Sequence, residues 1–217
     1  MHLTPEAALS WLVARAEALA QEDRRIAIGI AGGPGVGKST LAAELVAALN
    51  AGAPSRGALV PMDGFHIKHA RLEAMGQTDF KGAPHTFEAQ AFVDFIGSLK
   101  KATAPVSGPC YSRKIEDTVE NAFTVPAEAR VLVVEGNYLL LDEAPWSGVR
   151  PLLDLSFFIS VPRDIVAARL LKRHAAEGLF TEERNRAHIA RNDLPNYDRV
   201  MLSSDRADVV ITLDVRE

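Results

Sequence analysis

A short apolar run, Ile26 to Ala31, leads into Gly32-Gly33-Pro34-Gly35-Val36-Gly37-Lys38-Ser39, and this junction constrains the fold more than any other stretch of the chain. The pattern is Gly, four residues, then Gly-Lys-Ser, placed after a predicted strand and before a predicted helix. Glycines let backbone amides converge where a side chain would block the approach. The helix opening at Gly37 adds the positive end of its dipole, so the loop is built to hold an anion. In such a loop the lysine neutralises the β- and γ-phosphates of a nucleotide, and the hydroxyl after it ligates magnesium. The nucleotide-binding residues are therefore Gly32, Gly33, Gly35, Val36, Gly37, Lys38, Ser39 and Thr40, with ATP and Mg2+ as the expected cofactors. A glycine-rich turn carrying a lysine by accident would match the pattern in roughly one chain in a hundred of this length.

The rest of the chain alternates strands with helices. Thr4-Pro5-Glu6 has the residues of a helix start, and Ala8, Trp11, Leu12 and Leu19 recur at helical spacing through about Glu22. Further strands are predicted over 58–62, 131–134, 155–161 and 209–213, and helices over 38–50, 86–101 and after Pro162. Alternation of this kind gives parallel strands joined by right-handed crossovers, with ligands beyond the carboxyl ends of the strands. The expected fold is an α/β three-layer sandwich of the P-loop NTPase type with a five-stranded parallel sheet. The 26–31 strand should be central, flanked by the strands that lead to Asp63 and Glu135. We expect one domain over 1–217, an acceptor-binding insert over 64–117 and a small helical lid over 169–196.

Composition narrows the function. A net charge of −4 and a pI near 5.9 leave no basic footprint for a nucleic-acid backbone. No apolar run approaches the ~20 residues of a membrane helix, and the first residues lack the pattern of a signal peptide. A single cysteine, Cys110, excludes an internal disulfide and fits a reducing cytoplasm. The expected partner is a small molecule, with neither nucleic acid nor membrane involved.

Two carboxylates follow strands on this plan. Phosphoryl transfer to a hydroxyl needs a group that orients and deprotonates the acceptor, and a second acid for magnesium. Asp63, after Leu59-Val60-Pro61-Met62, is the candidate base, and Glu135, after Val131-Leu132-Val133-Val134, joins Ser39 as a candidate metal ligand. Their bland readings are a turn residue before Gly64 and a strand-end acid facing solvent.

Together these residues resemble the pantothenate kinase, uridine kinase and phosphoribulokinase group of P-loop kinases. Met62-Asp63-Gly64-Phe65-His66 is similar to that group's Asp-Gly-Phe segment, whose aspartate is the base. Lys81-Gly82-Ala83-Pro84 and Pro109-Cys110-Tyr111-Ser112-Arg113 resemble acceptor-pocket segments of bacterial pantothenate kinases, and Glu135-Gly136-Asn137 a segment after the third strand. Arg169-Leu170-Leu171-Lys172-Arg173 is similar to the lid helix whose arginines reach the transferring phosphoryl group. The likeness implies catalytic roles for Asp63, Lys38, Arg169 and Arg173, and acceptor contacts for His66, Lys81, Tyr111, Arg113 and Asn137. Arg113 stands where pantothenate kinases carry histidine, which argues against pantothenate itself. The chain is also similar to short bacterial nucleoside or sugar kinases, including kinases of fructose-transport systems.

Several readings stay open at this level. Arg169 and Arg173, at i and i+4, share one helix face that is either a lid or a solvated basic surface. The stretch from Ala175 to Gly178 beyond them reads as a hinge. His66 either meets the acceptor or caps a turn, and Tyr111 and Arg113 either line the pocket or form an ordinary loop pair. His66-x-x-His69 lacks the further ligands a zinc site needs. A GTPase would carry Asn-Lys-x-Asp, which is missing. A nucleoside monophosphate kinase would use Lys68, Arg71 and Lys81 against a second phosphate, and a regulatory ATPase would need no acceptor base. The activity expected is ATP-dependent phosphorylation of a sugar, nucleoside or pantothenate-like alcohol.

Overall fold

The computed structural model describes residues 1–20, 24–178 and 181–213. Thr4 caps helix α1 (Pro5–Leu19), its Oγ1 accepting from the Ala7 amide at 3.3 Å, with Pro5 at the first position where a missing N–H costs nothing. The helix ends at Leu19, and Glu22, where the sequence pattern runs out, lies outside the described residues. Strand β1 (His2–Leu3) precedes it, and β2 (Ile26–Ala31) and α2 (Lys38–Gly52) follow on either side of the glycine-rich loop. Next come β3 (Gly57–Pro61), a 3-10 turn (Met62–Phe65), α3 (His69–Ala74) and α4 (Ala89–Leu99). Strands β4 (Val106–Ser112) and β5 (Asp117–Val125) pair as an antiparallel hairpin. The chain then returns through β6 (Val131–Gly136), β7 (Leu155–Ser160), α5 (Arg163–Glu177), α6 (Glu182–His188), α7 (Leu194–Met201) and β8 (Val209–Leu213).

Six parallel strands form the main sheet in the order β1-β8-β7-β2-β6-β3. This corrects the expected five, since the two-residue β1 is too short to leave a periodic signal. It also corrects the expected neighbours: β2 lies between β6 and β7, and β3 sits one place further out at the edge. The physical reason lies in the strands themselves. All six residues of β6 are buried, as an interior strand covered on both faces requires. β3 is only partly buried and carries Pro61, whose missing N–H is tolerated at an edge.

Both faces of the sheet are covered, so the sandwich has three layers. Alternate residues of β6 divide between them, Val131 and Val133 packing with Leu12, Leu41 and Leu45 of α1 and α2. Leu132 and Val134 pack on the other side with Phe92, Ile96 and Leu99 of α4 and with Trp146.

The hairpin reaches the sheet's carboxyl end through one close approach. A methyl group added to Gly64 would lie 1.8 Å from the Pro109 carbonyl oxygen of β4. Only glycine therefore lets the hairpin lie against the turn that carries Asp63. Gly64→Ala is expected to destabilise the protein by about 1–3 kcal/mol or more, as overpacking does when backbone must move. Urea denaturation measures this, and an unchanged midpoint would show that the hairpin is not seated on Gly64.

Candidate active site

The glycine-rich loop joins β2 to α2. Gly37 precedes α2 with φ of +102°, a conformation that side-chain-bearing residues rarely adopt, and no side chain caps the amides behind it. Those first-turn N–H groups, together with the dipole, form an anion site. Gly33 is needed for a different reason: an added Cβ would sit 2.5 Å from Tyr197 Cδ2 on α7, so α7 lies directly against the loop. Lys38 is buried, and its Nζ donates to the Gly33 carbonyl at 2.9 Å. Burial lowers its pKa, against the opposing pull of Glu135 and Asp63.

Strand register brings the carboxylates to this loop. Glu135 is paired with Ile30 of β2 on one side and with Pro61 of β3 on the other, two residues before Asp63. Met62 wedges against the next residue: a Cβ on Gly136 would meet Met62 Cβ at 2.5 Å, which explains the Glu-Gly pair. Glu135 is 5% exposed and accepts a hydrogen bond from Ser39 Oγ at 3.2 Å. Burial, and then the Asp63 charge, push its pKa up to about 7, against Lys38 and Ser39. A buried carboxylate facing a second carboxylate and a hydroxyl is a hard-oxygen donor set that fits magnesium.

Asp63 lies in the 3-10 turn after β3, and its carbonyl accepts from the His66 amide at 3.3 Å and from His66 Nδ1 at 2.7 Å. The carbonyl can only accept, so Nδ1 carries the proton. Burial lowers the His66 pKa, which leaves the ring neutral at physiological pH. The ring also packs on Phe87 at 3.9 Å and Tyr111 at 4.7 Å between centroids. His66 thus closes the turn, and it also lines the cavity described next.

A cavity of about 430 Å³ gathers most of the sequence-predicted residues. Gly35, Gly37, Lys38, Ser39 and Thr40 line it, as do Asp63, His66, Lys81, Tyr111, Arg113, Glu135, Asn137, Arg169 and Arg173. Gly32, Gly33 and Val36 do not reach it; they are buried in the loop's foundation, where the Val36 carbonyl accepts from Arg169 Nη1 at 3.4 Å. Lys81 donates through Nζ to the Glu116 carbonyl and sits 5.2 Å from the Tyr111 ring centroid. Lys68 and Arg71 do not line the cavity; they pair with Glu120 and Glu88 at exposed positions. Cys110 is partly exposed on β4. Gly178 ends α5 in the left-handed conformation, φ +67°, as a helix cap.

The segment after α5 contributes cavity residues that sequence reasoning missed. Between α6 and α7 the helix widens into a π turn over Ile189–Asp193. Pro195 accounts for it, since its ring cannot accommodate the Arg191 carbonyl at helical distance. The wider turn places Asn192, Asp193 and Asn196 on the cavity wall with His174 and His188. Asn192 Nδ2 donates to the Lys81 carbonyl at 2.6 Å, tying this turn to the segment between α3 and α4. A proline inside a helical run was the available signal.

Known proteins resemble this chain over most of its length. The family model "PRK: Phosphoribulokinase / Uridine kinase family" matches residues 27–214. A Schizosaccharomyces pombe protein named "Putative uridine kinase" is 36% identical over 204 residues, covering 91% of this chain and 87% of its own. "Uncharacterized protein YggC" of Escherichia coli is 36% identical over 88% of this chain and 78% of its own. A crystal structure of a "putative fructose transport system kinase" from Silicibacter sp. superposes with a TM-score of 0.84 and 33% identity, covering 93% of this chain and 98% of that one.

Glu135 generates a pH prediction. Its folded pKa is raised, so the stability it contributes is greatest below its ordinary value near 4.5 and is lost as pH rises to about 7. Glu135→Gln removes that loss. In chelator without nucleotide, the variant is expected to melt roughly 2–8 °C above wild type at pH 8 and level with it at pH 4.5, for a difference of about 1–3 kcal/mol. Equal differences at the two pH values would show that Glu135 is not a buried carboxylate under strain.

Proposed function

Because the chain belongs to the phosphoribulokinase / uridine kinase family, we propose that it transfers the γ-phosphoryl group of ATP to a hydroxyl of a small metabolite in this cavity. The observation that carries the reading is the meeting of Lys38, Glu135 and Asp63 with Tyr111 and Arg113 around one space. A phosphate-binding loop alone would suit any nucleotide-binding protein. A second carboxylate in the same cavity, beside polar side chains from the 64–117 segment, suits an acceptor.

The residue roles follow from position. The loop amides and Lys38 hold the β- and γ-phosphates. Ser39 and Glu135 would hold magnesium, which when bound neutralises charge on the phosphate oxygens. Asp63 accepts the acceptor's proton as the hydroxyl oxygen attacks the γ-phosphorus, and ADP leaves. His66 fixes the Asp63 backbone through the Nδ1 hydrogen bond. Arg169 and Arg173, one turn apart on α5, meet charge as it develops on the transferring group. Tyr111, Arg113, Lys81 and Asn137 orient the acceptor.

The acceptor's class at this level is a sugar, nucleoside or pantothenate-like alcohol, and the relatives named for uridine and for fructose transport are consistent with it. The nucleoside monophosphate reading loses support, because two of its three basic residues, Lys68 and Arg71, point elsewhere. Net charge −4 supports the absence of a nucleic-acid partner. Among the described residues no helix is long and apolar enough to cross a membrane. The cytoplasm is the compartment we propose.

Acceptor-dependent ADP release tests the reading across a panel of sugars, nucleosides, nucleotides and vitamin precursors. Lys38→Ala is expected to abolish it. Asp63→Asn should lower turnover by about 10²–10⁴-fold while ATP affinity holds, the range typical of a general base. Wild-type turnover in Asp63→Asn would return Asp63 to the role of a turn residue. Alanine at Arg169 and Arg173 together should lower turnover more than ATP affinity, because their contribution grows in the transition state. Unchanged turnover in the double variant would make them a solvated surface.

A further inference from the structure

We infer that the acceptor is a small uncharged polyol, of the sugar or sugar-alcohol class, read by Asp193 and Asn196 of the lid opposite Glu116 and Asn137 of the body; this rests on the kinase reading above. Three properties of the cavity converge on it.

Its walls away from the phosphate loop are polar in both senses. Amides at Asn137 and Asn196 both donate and accept, and carboxylates at Glu116 and Asp193 accept. Neighbouring hydroxyls on one carbon chain each donate and accept, so a polyol satisfies such a set. The lid pair is held in place beforehand. Asp193 Oδ2 bonds to His174 Nε2 at 3.0 Å, and Asn196 Nδ2 donates to Asn192 Oδ1 at 3.1 Å.

The aromatic surface is already used. Of the phenylalanine, tyrosine and tryptophan rings among the described residues, only Phe87 and Tyr111 line the cavity. Phe87 is 6% exposed and packs against His66, Tyr138 and Trp146 at 3.9, 5.5 and 5.7 Å. Tyr111 is engaged by His66 at 4.7 Å and by the Lys81 ammonium at 5.2 Å. A nucleobase gains its affinity from an open ring face on which to stack, and the rings here are committed to one another.

The charge balance disfavours a phosphorylated acceptor. Lys38, Arg169 and Arg173 lie at the end where the triphosphate carries its charge. The rest of the cavity carries three carboxylates, Asp63, Glu116 and Asp193, against the fixed cations Lys81 and Arg113, with His174 bonded to Asp193. The Lys81 ammonium is bonded to the Glu116 carbonyl, and Arg113 acts on Glu135 and Tyr111. A dianionic group brought here meets like charge.

The test is ADP release by the full chain with Mg-ATP and, separately, a ketohexose, a pentitol, an aldonic acid, a pentose phosphate and a nucleoside. An uncharged polyol is expected to give a kcat/KM about 100-fold or more above the nucleoside and the sugar phosphate. Its analogue lacking one hydroxyl should fall by a comparable factor, since polar groups of the cavity wall are then left unpaired. Asp193→Asn and Asn196→Ala should each raise the polyol's KM about ten-fold or more, with ATP affinity unchanged as proof of an intact fold. Preference for the nucleoside, the sugar phosphate or the aldonic acid overturns the inference and leaves the kinase reading standing. An unchanged KM in both variants overturns the assignment to the lid. A chain that binds ATP yet phosphorylates nothing in the panel overturns this inference and the kinase reading together.

Discussion

Parallel pairing through β6 is the constraint on which the site depends. One strand sets Ile30 of β2 and Pro61 of β3 against the same residue, Glu135. The phosphate loop, the buried acid and the Asp63 turn are therefore placed by backbone hydrogen bonds before any side chain acts. A slip of one residue would turn Glu135 to the opposite face and move Val131 and Val133 from one core to the other. Because both faces of β6 are fully packed, the hydrophobic cores that stabilise the sheet also hold the register that aligns the chemistry.

That alignment carries an electrostatic cost. Lys38 and Glu135 are both buried, and burial shifts each toward its neutral form, outweighing their mutual attraction. Asp63 makes Glu135 worse off and Lys38 better off, so no arrangement of the three charges alone is satisfied. Under the proposed function, phosphate oxygens beside Lys38 and a divalent cation beside Glu135 would offset both costs. Buried charges opposed in this way are expected of preorganised binding sites.

Much of this was legible in the sequence, for identifiable reasons. The strand Ile26–Ala31, the cap at Thr4 and the strand Val209–Leu213 announce themselves through local composition, and the structure places them at those residues. Asp63 and Glu135 were legible because strand ends and phosphate loops obey one geometric rule. Strand order was not: Pro61 suits β3 to an edge, but the residue pattern does not say that β6 lies between it and β2. The β4–β5 hairpin was also missed. Residues 119–122 of β5 are exposed, so Val119-Glu120-Asn121-Ala122 reads as loop, and its strand character comes from the partner. The π turn was hidden for a related reason: one proline bends a helix whose remaining residues all look helical.

The convergence of loop, acid and base on one phosphate is tested most directly by a crystal structure with magnesium and a non-hydrolysable ATP analogue. The metal should sit between Ser39 Oγ, Glu135 and the γ-phosphate. The Asp63 carboxylate should stand where an acceptor oxygen facing the γ-phosphorus lies within about 2.6–3.2 Å of it. A metal bound away from Ser39 and Glu135, or an Asp63 carboxylate turned from the γ-phosphate, would contradict it.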